Sequence, residues 1–213
     1  GYLSGSARTL EAEVIFPKAA NHKVTNYEYL GSGSSLFGVH SVKSTEDDDA
    51  GADSADPALP WPAEKNDYDL RVYAIRETVG GDDAYFKLKS TRLGIDLTSS
   101  LYKDVYNNEK WNFAVKVRPS RYPQVNQVSG AAEGDKYIVE FYGVRTVLDQ
   151  VRDEFLVTGS ISNRNGFRFM TSPKRIFVGA HRENFSGSLL QRSDVKVSST
   201  RVWMTNLTTA SIR

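Results

Sequence analysis

The chain has 213 residues, no cysteine, and 27 basic against 26 acidic side chains, for a formal net charge of +1. With 39% of residues hydrophobic and 16 glycines besides, the composition is that of a globular protein. It excludes disordered, collagen-like and disulfide-stapled classes, and the missing cysteines exclude thiol catalysis and cysteine-ligated zinc.

In chain order, alternation of apolar and polar residues predicts strands almost throughout. Leu10, Ala12, Val14 and Phe16 alternate with Glu11 and Glu13, and Pro17 ends the run. Leu36–Val42 follows the glycine-serine stretch Gly31–Ser35. Leu70, Val72 and Ala74 alternate with Arg71 and Tyr73. Tyr85–Lys89 and Leu93–Leu97 read as a hairpin after the turn Gly80–Asp83. Trp111, Phe113, Val115 and Val117 make the next strand, followed by Tyr137–Val147, Phe155–Ile161, Arg175–Gly179 and Val195–Trp203. The best helix candidate is a short turn near Ser162–Met170, weakened by Asn165-Gly166. Many short strands without crossover helices predict an all-β antiparallel sandwich or barrel rather than an α/β fold. Trp111 and Trp203, each flanked by polar alternation, are expected to face its core.

Two stretches, 44–69 and 118–136, carry prolines and glycines without strand pattern and are expected as long loops of a single domain over 1–213. The near-zero charge is a cancellation. Residues 44–69 hold nine acids and one base, a net of −8, and residues 164–213 hold nine bases and two acids, a net of +7. Either each is a solvated surface, or the two meet within one molecule or between copies. No apolar run approaches the ~20 residues that span a bilayer, so no membrane insertion is expected. Residues 1–20 lack a signal-peptide pattern, and the chain reads as a domain cut from a longer protein.

A family resemblance rests on the last forty residues. Ile176-Phe-Val-Gly179, Phe185-Ser-Gly187, Asp194-Val195, Arg201-Val-Trp203 and Leu207-Thr208 occur in the order seen in the concanavalin A-like superfamily, especially laminin-G-like and pentraxin-like domains. Lys110–Val117 resembles that family's tryptophan-led strand, and Thr9–Phe16 resembles its opening strand. The resemblance implies a two-sheet antiparallel jelly roll. Similar domains occur in bacteriophage virion proteins, which implies a virion or cell-surface location after folding in a reducing cytosol.

The chemistry is less legible. Retaining glycoside hydrolysis needs two carboxylates about 5–5.5 Å apart. The E-x-D-x-E and E-x-D-x-x-E spacings of related glucanases are absent. Glu11 and Glu13 share a face but lack a third acid, and adjacent Asp153 and Glu154 point to opposite faces. His22, His40 and His181 are far apart in sequence without metal-binding spacing, and His40 is expected to be structural. Calcium is the metal that oxygen-rich loops suit, with Asp47, Asp48, Asp49 and Asp53 as candidate ligands.

Trp61, between Pro60 and Pro62, is the candidate sugar-stacking platform, with Tyr68, Tyr106 and Tyr122 as companions. Its alternative is a residue that covers a sandwich edge or packs on a neighbouring protein. No nucleic-acid reader motif is present. The expectation is thus a non-catalytic, glycan-binding recognition or adhesion module, with a glycan or neighbouring subunits as partners. A purely structural virion domain is the alternative, and a glycoside hydrolase the third reading.

Overall fold

The computed structural model describes residues 7–18, 33–41, 69–78, 80–121, 136–171, 174–182 and 188–213. In chain order these form β1 (Arg8–Phe16), β2 (Gly33–Ser41), β3 (Asp69–Arg76), β4 (Ala84–Ser90), β5 (Ile95–Thr98) and β6 (Glu109–Pro119). Then follow β7 (Lys136–Val147), β8 (Gln150–Ser162), α1 (Asn163–Thr171), β9 (Lys174–Val178), β10 (His181–Arg182), β11 (Leu189–Gln191), β12 (Lys196–Trp203) and α2 (Thr209–Ile212).

Two five-stranded sheets, ordered β12-β1-β6-β7-β8 and β5-β4-β3-β2-β9, make a jelly-roll sandwich, and β10 and β11 form a separate ribbon. Every pairing in them is antiparallel. Alternation explains the register. Leu10, Ala12 and Val14 lie opposite Val115, Phe113 and Trp111, so one side of each strand is apolar and turns inward.

The core between the sheets is aromatic at its centre. Phe86 meets Trp111 at 4.8 Å and Phe113 at 4.7 Å between ring centroids, and Phe141 meets Phe155 at 4.9 Å. Trp111 is fully buried, as its alternation predicts. Gly143 on β7 is there for space, since a Cβ would sit 2.3 Å from Phe155 Cε1.

Two expectations are corrected. Trp203 does not face the core. β12 is an edge strand whose register sets Val202 opposite Leu10 and Trp203 opposite Thr9. Trp203 therefore lies on the outward side and donates its indole N–H to Glu11 at 3.0 Å. The predicted short turn is a nine-residue helix, α1, which buries Phe169 and Met170. Gly166 weakens helix propensity but fits tertiary packing, because a Cβ there would lie 2.1 Å from the Tyr137 ring.

The outward face of the first sheet is closed. Ile212 of α2 packs on Ala114, Tyr142 and Val144. Its carboxylates are matched with cations. Glu11 meets Arg201 at 3.2 Å, Glu140 meets Lys116 at 2.6 Å, and Glu154 meets Arg213 at 2.5 Å.

Candidate active site

The outward face of the second sheet differs in composition. Register places His40 opposite Asp69 and Arg175, and Gly38 opposite Arg71 and Phe177. It also places Arg71 opposite Lys89 and Tyr73 opposite Lys87. All of these share one face, because directly paired residues and alternate residues of a strand point the same way. The face is polar yet enclosed: His40 is 6% exposed, and Arg71 and Tyr73 are 1% exposed each.

His181 reaches this face from outside the sheet. Gly179 takes a φ of +77°, which glycine adopts without a Cβ penalty, and turns the chain out of β9. β10 then pairs with β11, with His181 opposite Gln191. Gln191 donates its Nε2–H to the Gly33 carbonyl at 2.8 Å, and the Ser35 N–H donates to the Arg192 carbonyl at 2.8 Å. These bonds tie the ribbon to β2.

The result is a histidine pair, with Nε2 of His40 and Nε2 of His181 2.7 Å apart. The Phe177 ring lies 4.5 Å from the His181 ring, centroid to centroid. Gly38 makes room for it, since a Cβ would stand 2.5 Å from the Phe177 ring and 2.7 Å from the Leu70 carbonyl oxygen.

A hydrogen bond between two imidazole nitrogens needs one proton and one lone pair, so at least one ring is neutral. Burial pushes the His181 pKa down to about 3, with the nearby His40 and Arg71 adding to the shift. His181 is therefore a neutral imidazole at physiological pH. Arg71 is fixed beside it: Asp69 meets its Nε at 2.5 Å and accepts from the Ser90 hydroxyl at 3.0 Å.

Among the described residues, the face is cationic. Arg71, Lys87, Lys89 and Arg175 stand against Asp69 and Asp96, and Asp96 is itself paired with Lys87 at 2.8 Å. The face offers a neutral base, a guanidinium and a phenol, without the facing carboxylates that glycoside hydrolysis uses.

The sequence candidates fare differently. Trp61, Tyr68 and Tyr122, the proposed calcium ligands Asp47, Asp48, Asp49 and Asp53, and His22 lie outside the described residues. Tyr106 is corrected: it is fully buried, with its ring 5.1 Å from Phe16 and 3.3 Å from the Arg76 guanidinium. It lies in the core between the sheets and not on either outward face.

His40 and His181, far apart in sequence and without metal-binding spacing, meet across 141 positions. The signal available was parity, which places His40, Arg71 and Tyr73 on the outward side of their strands. Asp153 and Glu154 do diverge as expected, toward Arg145 and Arg213 respectively. Among the described residues, no group of three or more His, Asp or Glu side chains could hold a metal ion.

No family model matches the sequence, and no curated protein is similar to it. Among solved structures, the fold is similar to a variant of alginate lyase Aly36B in complex with an alginate trisaccharide, at 12% identity and a TM-score of 0.40. A second Aly36B variant, with an alginate tetrasaccharide, gives 12% and 0.41. The marine PL-14 alginate lyase from Aplysia kurodai gives 13% and 0.40. Each likeness covers 96% of this chain and 72% of the other. The expectation of a non-catalytic recognition, adhesion or virion module is corrected on the second sheet itself, which carries an enclosed set of acid-base groups, His40, His181, Arg71 and Tyr73.

Proposed function

We propose that the protein cleaves an anionic, uronate-containing polysaccharide by β-elimination on the outward face of the second sheet. The observation that carries this reading is the enclosed His40–His181 pair beside Arg71. Elimination needs three things at one sugar: a cation on the C5 carboxylate, a base for the C5 proton, and an acid for the departing O4. Arg71, held by Asp69, supplies the cation. The imidazole pair supplies the base, with His181 neutral because it is buried. Tyr73 supplies the acid. It sits two positions from Arg71 on β3, on the same face of the sheet.

The step balances without water. The C5–H bond breaks and its proton goes to the imidazole pair. The electron pair forms the C4=C5 double bond, and the C4–O4 bond breaks. Tyr73 gives its proton to O4, and proton exchange with solvent then resets Tyr73 and the imidazoles. Arg71 gains strength in the transition state, where charge moves onto the carboxylate. Lys87, Lys89 and Arg175 extend the cationic surface for neighbouring uronates.

The test is incubation with polymannuronate, polyguluronate, pectate and hyaluronan, followed by ultraviolet absorbance of the new C4=C5 bond. The expected result is an absorbance rise with at least one polymer. New reducing ends without that absorbance would assign hydrolysis and overturn the reading, as would no cleavage of any of them.

A further inference from the structure

A second site lies inside the sandwich, at the end where β1 and β9 begin. A cavity of about 370 Å³ separates the two sheets there. That volume falls within the ~300–1,000 Å³ of small-molecule sites. Its walls are aliphatic: Leu10, Val115 and Val117 from one sheet, and Val39, Leu70 and Val72 from the other. Ile176 and Val202 also line it and are 37% and 50% exposed, so the cavity communicates with solvent.

Two cations stand in this apolar wall. Arg8 and Lys174 line it, and no carboxylate does among the described residues. Lys174 Nζ lies 4.5 Å from the centroid of the Phe169 ring. Arg8 Nε is buried without a hydrogen-bond partner among the described residues. Burial lowers the Arg8 pKa, and burial, followed by the Arg8 charge, brings Lys174 down to about 7. An anion between them would relieve both the desolvation and the repulsion.

The wall also says what kind of anion fits. Among the described residues, Phe169 is the one aromatic in the lining, and Thr9 and Thr171 are its uncharged polar residues. A sugar would find too few polar partners and no stacking face. Aliphatic walls on both sides would gain dispersion contacts from a flexible hydrocarbon.

We propose that this cavity binds a single-chain aliphatic anion, a medium-chain carboxylate, with its tail between the sheets and its head on Arg8 and Lys174. The site lies on the inner side of the second sheet and stands independently of the elimination chemistry on the outer side.

The test is isothermal titration of the full chain with sodium decanoate below its micelle concentration. The expected result is saturable binding of one decanoate per chain. Binding should weaken about tenfold or more in the Arg8→Met/Lys174→Met double variant, and similarly when decanol replaces decanoate, as for loss of a charge-assisted contact. Val115→Phe, with a retained thermal transition, should block binding by filling the space. Absence of saturable binding overturns the proposal. So does equal affinity for decanol and decanoate together with no effect of the double variant, which would mark a non-specific apolar sink.

Discussion

The outward faces of the two sheets use charge in opposite ways. On the first sheet the acids are answered. Glu11 accepts from Asn112, Arg201 and Trp203, and Glu140 bridges Lys116 and Arg118. Burial pushes the Glu140 carboxyl up, but Lys116 and Arg118 together outweigh it and hold it below the usual range. On the second sheet the described cations outnumber the acids, and the buried titratable centre is a neutral histidine. Carboxylates locked to cations stabilise a face, whereas a neutral base beside an arginine is chemistry held ready. The contrast teaches that burial of polar groups is ambiguous by itself. What distinguishes the second face is the buried imidazole pair beside an arginine.

The largest effect that would break this contrast is on catalysis. His181→Ala should cut elimination by about 10²–10⁴-fold while the thermal transition is retained, and Arg71→Met should cut it as much at a cost of about 3–5 kcal/mol, because it leaves the buried Asp69 unpaired. An unchanged kcat/KM in either variant would place the second face with the first, as structure. Glu11→Leu should do the reverse. It leaves the groups of Asn112, Arg201 and Trp203 without their acceptor and should cost about 1–3 kcal/mol in chemical denaturation, with elimination unaffected.

Gly38→Ala joins the two readouts. The added methyl would press on Phe177 and on the Leu70 carbonyl, displacing the ring that backs His181. Roughly 1–3 kcal/mol of stability should be lost, together with activity, because overpacking forces the backbone to move. Full activity at reduced stability would show that Phe177 does not set the His181 position.

The pH dependence sharpens the comparison further. His181 has a folded pKa of about 3 against the ordinary imidazole value of 6.5, so between these values the unfolded chain binds a proton that the folded chain does not. Stability should therefore rise with pH from about 3 to 6.5 on account of this residue, and that contribution should be flat above. Glu140 and Glu154 are lowered as well, so their stabilising contribution is present above the ordinary glutamate value of 4.5 and is lost as pH falls below it. Denaturation midpoints between pH 5 and 6.5 isolate the histidine, and His181→Gln should remove the slope there. The smallest effect belongs to the Lys87–Asp96 pair at the edge. Asp96→Asn should change stability by no more than about 1 kcal/mol and vanish into the noise at high salt.

Much of the fold was legible because a strand repeats every two residues. Leu10, Ala12, Val14 and Phe16 announce both the strand and its buried side, and Trp111 follows the same rule. The rule fails at Trp203, where register on an edge strand decides which parity faces inward, and register is not visible in one strand alone. It fails at α1, where packing on Tyr137 overrides the Asn165-Gly166 turn signal. The site was half legible. Parity puts His40, Arg71 and Tyr73 on the outward side of β2 and β3, but pairing His40 with His181 requires a ribbon that local sequence does not encode. Tyr106, outside any strand pattern, looked available to a sugar, yet its burial depends on long-range packing against Phe16 and Arg76.

The most direct test of the central claim is the mass of the cleavage products formed in heavy-oxygen water. Elimination at His40, His181, Arg71 and Tyr73 consumes no water. The account predicts oligosaccharides with an unsaturated terminal sugar and no solvent oxygen incorporated at the scissile bond. Saturated products carrying one heavy oxygen per cleavage would contradict it.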